Sequence, residues 1–249
     1  MSTKDIVQDI VKHTAGLGFI QAVKVTGNSG KTELNAMDPD RTVILKAKLH
    51  GDYPEFSGEF GLGNMGLLQG ITKLTNYNAD GATVEVVSRE RNGENAPDHL
   101  LFKDKDGNKD QYRFMSKEII EQALQTVKFK GVDWDVTVEP TKQKVAELNE
   151  VAAIYGAIEP NMRIKTQDGN LNLSVGASDG SFTGNRTFAN NVDGEINHEM
   201  AWPLVQVLAI LKLGMSGACV MSISTKGALQ ISVDSGLAKY DYILPAQTA

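Results

Sequence analysis

The chain has 249 residues, 41% of them apolar or aromatic and 22% charged, with a formal net charge of −6. That is enough for one or two well-buried domains, and so ordinary an apolar fraction excludes wholesale disorder. The single cysteine, Cys219, excludes a disulfide framework and a cysteine-rich zinc module, and net acidity argues against a simple high-affinity nucleic-acid binder.

The opening residues, Met1-Ser2-Thr3-Lys4-Asp5, lack the charged-then-apolar layout of a signal peptide. No apolar run approaches the ~18 residues of a membrane span. A reducing, cytosolic setting without membrane contact is predicted. A first helix is predicted from about Thr3 to His13, with Ile6, Val7, Ile10 and Val11 on one face. A second runs from about Asn64 to Leu74 with Leu67, Leu68 and Ile71 inward. Alternating runs at 83–87, 99–103 and 111–114 read as half-buried strands, separated by turn dipeptides such as Asn92-Gly93 and Asp106-Gly107. A helical pattern follows from Lys117 to about Lys128. The third principal helix spans about Thr141 to Tyr155, and the fourth about Trp202 to Leu213 with Pro203 in its first turn. Strands near 217–224, 227–234 and 237–244 close the chain.

The spacing repeats. Thr3-Lys4 recurs as Thr141-Lys142, an offset of 138 residues. The same offset carries Val7, Ile10 and Gly18 onto Val145, Leu148 and Gly156, and Asn64 onto Trp202. The chain is therefore predicted to be α+β, with one strand-and-two-helix unit used twice: an N-terminal domain 1–116, a connector 117–133 and a C-terminal domain 134–249.

Several candidate sites dissolve on their spacing. Gly61-Leu62-Gly63-Asn64-Met65-Gly66 matches G-x-G-x-x-G, but no parallel strand-helix-strand crossover surrounds it, so the glycines are expected to serve close helix–sheet packing. The acidic run Asp104 to Asp110 has its glycine too early for a calcium loop and reads as a hairpin tip. His13, His50, His99 and His198 stand alone and are expected at the surface or at strand edges. Cys219 sits in an apolar strand and reads as a buried small residue. No G-x-S-x-G or Walker lysine motif occurs. No catalytic residue, metal or other cofactor is predicted, and the pattern suits a binding protein rather than an enzyme.

Two stretches carry a resemblance. Ala36-Met37-Asp38-Pro39-Asp40-Arg41-Thr42-Val43 is similar to the Ala-Met-Asp segment before a central strand in the DNA sliding clamps, and Tyr240-Asp241-Tyr242-Ile243-Leu244-Pro245 is similar to their Tyr-rich terminal strand. With the duplication and the length, the chain resembles the two-domain clamps typified by proliferating cell nuclear antigen, the archaeal clamps and the tailed-phage clamps. The resemblance implies two tandem clamp domains, antiparallel sheets outside and two helices each, closing as a homotrimer into a ring of six domains around duplex DNA. It implies a polymerase processivity factor, opened by a clamp loader, that tethers the replicative DNA polymerase from the cytoplasm, or from the nucleus in a eukaryote.

By the same resemblance, Lys4, Lys12, Lys73, Lys142 and Lys212 face DNA, making weak non-specific contacts. Glu147 and Glu150 on the third helix depart from a basic lining. Subunits would join through strands around Tyr112 and Phe114 on one copy and Phe182 and Arg186 on the next. A pocket for partner peptides would involve Met37, Val43, Leu45, the connector at Val127-Lys128-Phe129, and Tyr242, Leu244 and Pro245. The helical look of Lys117 to Leu124 departs from an extended connector. Two other readings stay open: a monomeric viral processivity factor, which would need a basic face, and a structural or carbohydrate-binding β-sandwich, which would leave the four helices without a role.

Overall fold

A computed structural model describes residues 2–28, 30–91, 94–124 and 129–247. The Asn92-Gly93 turn, and Val127 and Lys128 of the connector, lie outside the described residues. The chain folds into two compact units, Met1–Lys128 with Gly236–Tyr240, and Phe129–Ser235 with Asp241–Ala249.

The first unit opens with α1 (Thr3–His13). Ser2 caps it by accepting the Asp5 N–H, while the Asp5 carboxylate accepts the Ser2 N–H at 2.9 Å. Strands β1 (Val23–Asn28), β2 (Lys31–Met37), β3 (Ile44–Leu49) and β4 (Gly58–Leu62) pair antiparallel in the order β4-β1-β2-β3. Then come α2 (Met65–Thr72), the single turn α3 (Thr75–Asn78), and an antiparallel sheet of β5 (Thr83–Arg91), β6 (Glu94–Lys103) and β7 (Lys109–Arg113). Helix α4 (Lys117–Leu124) ends the described part of this segment. Val7 and Ile10 of α1 and Leu68 of α2 bury against Val25, Leu62 and Leu100 of the strands.

The second unit holds β8 (Val136–Val138), α5 (Lys142–Tyr155), β9 (Asn161–Gln167), β10 (Asn170–Gly176), β11 (Thr183–Ala189), β12 (Met200–Pro203), α6 (Leu204–Gly214), β13 (Ala218–Ser224), β14 (Ala228–Asp234) and β15 (Ala238–Pro245). Its sheets run β11-β10-β9-β12 and β15-β14-β13-β8. Residues of β15 up to Tyr240 group with the first unit. The order β12-β9-β10-β11 repeats β4-β1-β2-β3, and α5 and α6 precede β9 and β13 as α1 and α2 precede β1 and β5. The offset seen in the sequence is thus a repeat of topology, in an α+β architecture with antiparallel sheets.

Three expectations shift. The second helix ends at Thr72, short of Leu74, and Asn64 stands outside it in the left-handed region at φ 52°. The fourth helix starts at Leu204 because Trp202 and Pro203 belong to β12, opposite Met162 and Asn161 of β9. Trp202 is fully buried and donates its indole N–H to Leu244 O at 3.1 Å, which holds it in the sheet. Two histidines expected at the surface are buried. His13 is 1% exposed and stacks on Tyr240 at 4.1 Å, and the Tyr240 hydroxyl donates to Asp9 Oδ2 at 2.8 Å. Burial pulls the His13 imidazole down to about 4. His99 lies beside the bulge in the β5–β6 ladder, its Nδ1 3.0 Å from the buried Asp98 carboxylate.

Candidate functional site

The helices expose a sparse set of cations. Lys4, Gln8 and Lys12 follow one another at four-residue spacing on α1, turned from the buried Ile6, Val7, Ile10 and Val11. Lys12 is exposed and Lys4 half-buried. Lys73 is exposed at the C-terminal end of α2, Lys142 at the start of α5 and Lys212 in the last turn of α6. Lys144 is taken up by Glu147 at 2.7 Å, and that ammonium holds the Glu147 carboxyl below its usual value. Leu67, Ile154 and Val205 are exposed on the same three helices. Exposed lysines of this kind attract a polyanion weakly.

Each unit ends one sheet in a strand edge. In the first unit β7 is the outer strand of β5-β6-β7, and in the second β11 is the outer strand beside β10. Tyr112 and Phe114 face the first unit's interior at 2% and 7% exposure. The Tyr112 hydroxyl donates to Gly63 O, and burial pushes its pKa up. Phe114 stacks on Phe60 at 4.5 Å. The β11 edge has the opposite character. Phe182, just before it, is 68% exposed and Arg186 projects from it into solvent. The approach to β11 is firmly built. Arg163 donates to Glu159, Gly176 O and Ala177 O, and Ala177 donates its N–H to Phe182 O at 2.9 Å.

On the outer face of the first unit's sheet lies a groove of about 190 Å³ lined by Lys24, Thr26, Asn35, Met37, Ile44 and Lys46, with Glu121 and Leu124 of α4 as one wall. Register explains the lining. Met37 faces Ile44 across β2–β3, and Asn35 faces both Lys46 and Lys24. An apolar row therefore runs beside a polar one. Asp38 shapes the turn below it, its carboxylate accepting the Val43 N–H and the Thr42 hydroxyl, each at 2.7 Å.

No protein-family model and no curated protein sequence matches the chain. Solved structures do match it. The PCNA of A. fulgidus, determined with the C-terminal region of FEN-1 bound, aligns over 100% of this chain and 97% of its own, with a TM-score of 0.69 and 11% identity. The PCNA of Thermococcus kodakaraensis aligns over 99% and 98% with a TM-score of 0.70, again at 11% identity. The PCNA2–PCNA3 complex of Sulfolobus tokodaii gives 0.66 over 99% and 98%, also at 11%. The chain has the DNA sliding clamp fold.

Within the clamp fold the predicted residues separate. Met37 and Leu45 both line the groove, although the Leu45 side chain is fully buried, whereas Val43, just before β3, is fully buried and does not line it. Ile44 joins Met37 and Leu45 in the lining. The parity was readable: Lys46 and Lys48 mark the outer face, and Ile44 shares it. Tyr242 and Leu244 are buried in the second unit and Pro245 is exposed. Phe129 is half-buried in that same unit.

The remaining motifs are structural. Asp104 binds the N–H groups of Asp106 and Asn108 and the side chains of Asn76 and Asn108, contacts that hold its carboxyl down at about 2. Among the described residues no His, Cys, Asp or Glu cluster fits a metal, and no helix is long and apolar enough to cross a membrane. Cys219 is buried, and burial pushes its thiol up to about 11.

Proposed function

We propose that the chain is a DNA sliding clamp: a non-enzymatic homotrimer whose six repeated units, two per chain, encircle duplex DNA and tether a DNA polymerase. The observation that carries this is the full-length likeness to three PCNA structures. Two unlike strand edges, β7 and β11, suit head-to-tail joining between copies, which closes by rotation and covers both edges. Phe182 and Arg186 would lie at that junction, with β7 contributing its backbone. Lys4, Lys12, Lys73, Lys142 and Lys212 would supply the attraction to phosphates. The sparse cationic charge suits retention by topology rather than by tight contact. The groove lined by Met37 and Ile44 would receive short apolar segments of the polymerase, of a clamp loader and of other DNA enzymes. Residues 1–116 and 134–249 would be the clamp domains, joined by 117–133, in a soluble protein working beside DNA.

Light scattering after size exclusion tests the assembly. A mass three times the 27.0 kDa chain is expected. Loading onto nicked circular DNA, then cutting the circle, tests the topology. The protein should stay on the circle at high salt and be lost once the DNA is linear. A strict monomer with salt-sensitive affinity for linear DNA would replace this reading with the monomeric processivity factor.

A further inference from the structure

Lys24 and Glu121 stand 97 residues apart in the chain, yet they meet on the outer face of the first unit's sheet. Lys24 Nζ lies 2.9 Å from Glu121 Oε1 and 3.2 Å from Glu59 Oε2. Lys117 Nζ lies 2.9 Å from that same Glu59 oxygen, which is itself shielded from solvent. The sheet register brings these groups together: Lys24 sits opposite Gly61 on β4, and Thr26 opposite Glu59. At Gly61 α4 packs close against the strand. A Cβ there would lie 2.6 Å from Ile120 Cβ, and Ile120 is fully buried. Just before α4, Gly61 and Met115 exchange both backbone hydrogen bonds, at 3.0 and 2.8 Å.

Helix α4 is thus pinned in three ways: a backbone bridge ahead of it, an apolar plug at Ile120, and a charge cluster reaching it through Lys117 and Glu121. Burial works against the Lys24 charge, but Glu121 and Glu59 outweigh it and raise its pKa. Lys117, then Lys24, holds the Glu59 carboxyl low. Lys24, Glu59 and Lys117 therefore stay charged through neutral pH. A single exposed ion pair contributes little. Here one shielded oxygen lies within ion-pair distance of two ammonium groups, and losing its charge would loosen both. Glu121 and Leu124 are also the α4 wall of the groove. Any movement of the helix changes the groove's width.

We propose that Glu59, bridging Lys24 and Lys117, is a charge latch that seats α4 and sets the width of the groove where partner segments dock. The second half rests on the proposed partner site, whereas the latch stands without it.

The test uses the full-length protein. Glu59→Gln keeps the shape and removes the charge. Glu33→Gln, which removes the separate Glu33–Lys48 pair at 3.3 Å on the same sheet, is the control. Lys117→Met at a half-exposed residue guards against a variant that fails to fold. Amide hydrogen exchange across 118–124 reads the seating of α4, and binding of anilinonaphthalene sulfonate reads the groove, its site fixed by loss of binding in Ile44→Ser.

Glu59→Gln should speed α4 exchange about tenfold, and Lys117→Met about threefold, with Glu33→Gln leaving it unchanged. Salt at about 1 M should move the wild type toward Glu59→Gln and shift that variant less, through its remaining Lys24–Glu121 pair. Dye affinity should change severalfold in step with exchange. Equal α4 exchange in wild type and Glu59→Gln overturns the latch. Faster exchange with unchanged dye affinity overturns its control of the groove. If these responses appear while polymerase segments fail to bind, only the partner-site reading falls.

Discussion

Lowering the pH from about 7.5 to about 5 probes the burial of His13 by linkage. The ring is 1% exposed, stacked on Tyr240 at 4.1 Å, with Nε2 3.7 Å from Asp9 Oδ1. Burial is the largest influence and pulls the imidazole from 6.5 to about 4, with Asp9 opposing and Lys12 reinforcing. The unfolded chain thus takes up a proton near pH 6.5 that the folded chain refuses until about 4. This contribution to stability is complete above pH 6.5 and is lost as the pH falls from 6.5 towards 4. Linkage puts the loss at about 2 kcal/mol by about pH 5, and at about 3 kcal/mol once the folded form also protonates. The melting temperature should fall by roughly 5 °C over the same interval. Urea unfolding followed by circular dichroism, run on the wild type and on His13→Phe, isolates the effect. Phenylalanine keeps the stacking and cannot titrate, and the carboxylates common to both proteins cancel in the difference. Parallel stability curves for the two proteins down to about pH 5 would refute the assigned cause.

Gly61→Val should destabilise the chain by about 1–3 kcal/mol in urea unfolding, because the added carbons meet Ile120. Phe182→Ala removes an exposed ring, so unfolding of the isolated chain should shift by less than about 0.5 kcal/mol. Self-association, read by dilution in light scattering, should weaken at least about tenfold. Ile44→Ser should abolish polymerase stimulation while leaving stability nearly unchanged. Val43→Ala, one residue away but fully buried, should cost about 2 kcal/mol and spare stimulation in the folded fraction. The reverse pattern would put the wrong face of β3 in the groove.

The first helix was legible to the residue, because its start is written locally in Ser2 and Asp5 and its face in Ile6, Val7, Ile10 and Val11. The repeat was legible too, since two copies of one topology leave an offset that survives sequence divergence. Trp202 and Pro203 misled, because proline in a first helical turn and proline at a strand's last position look alike without the partner strand β9. Val43, Ile44 and Leu45 are consecutive apolar residues, so hydrophobicity alone does not say which two turn inward, whereas the alternation set by Lys46 and Lys48 does. The Glu59 cluster could not be read from the chain at all. Its members come from β1, β4 and α4, and only the register between β1 and β4 makes them neighbours. The burial of His13 likewise depends on Tyr240, far away in the sequence.

Cys219 has a practical consequence. With its thiol pushed up to about 11, only about one molecule in ten thousand carries the reactive thiolate at neutral pH. The sulfur is packed as well: a Cβ on Gly214 would sit 2.6 Å from it. Burial and the raised pKa should both slow its reaction with maleimides. A cysteine introduced at an exposed position such as Ile119 would be the one reactive handle per chain. Donor and acceptor dyes could then be attached without first removing the natural residue, and the opening of any assembly followed one molecule at a time.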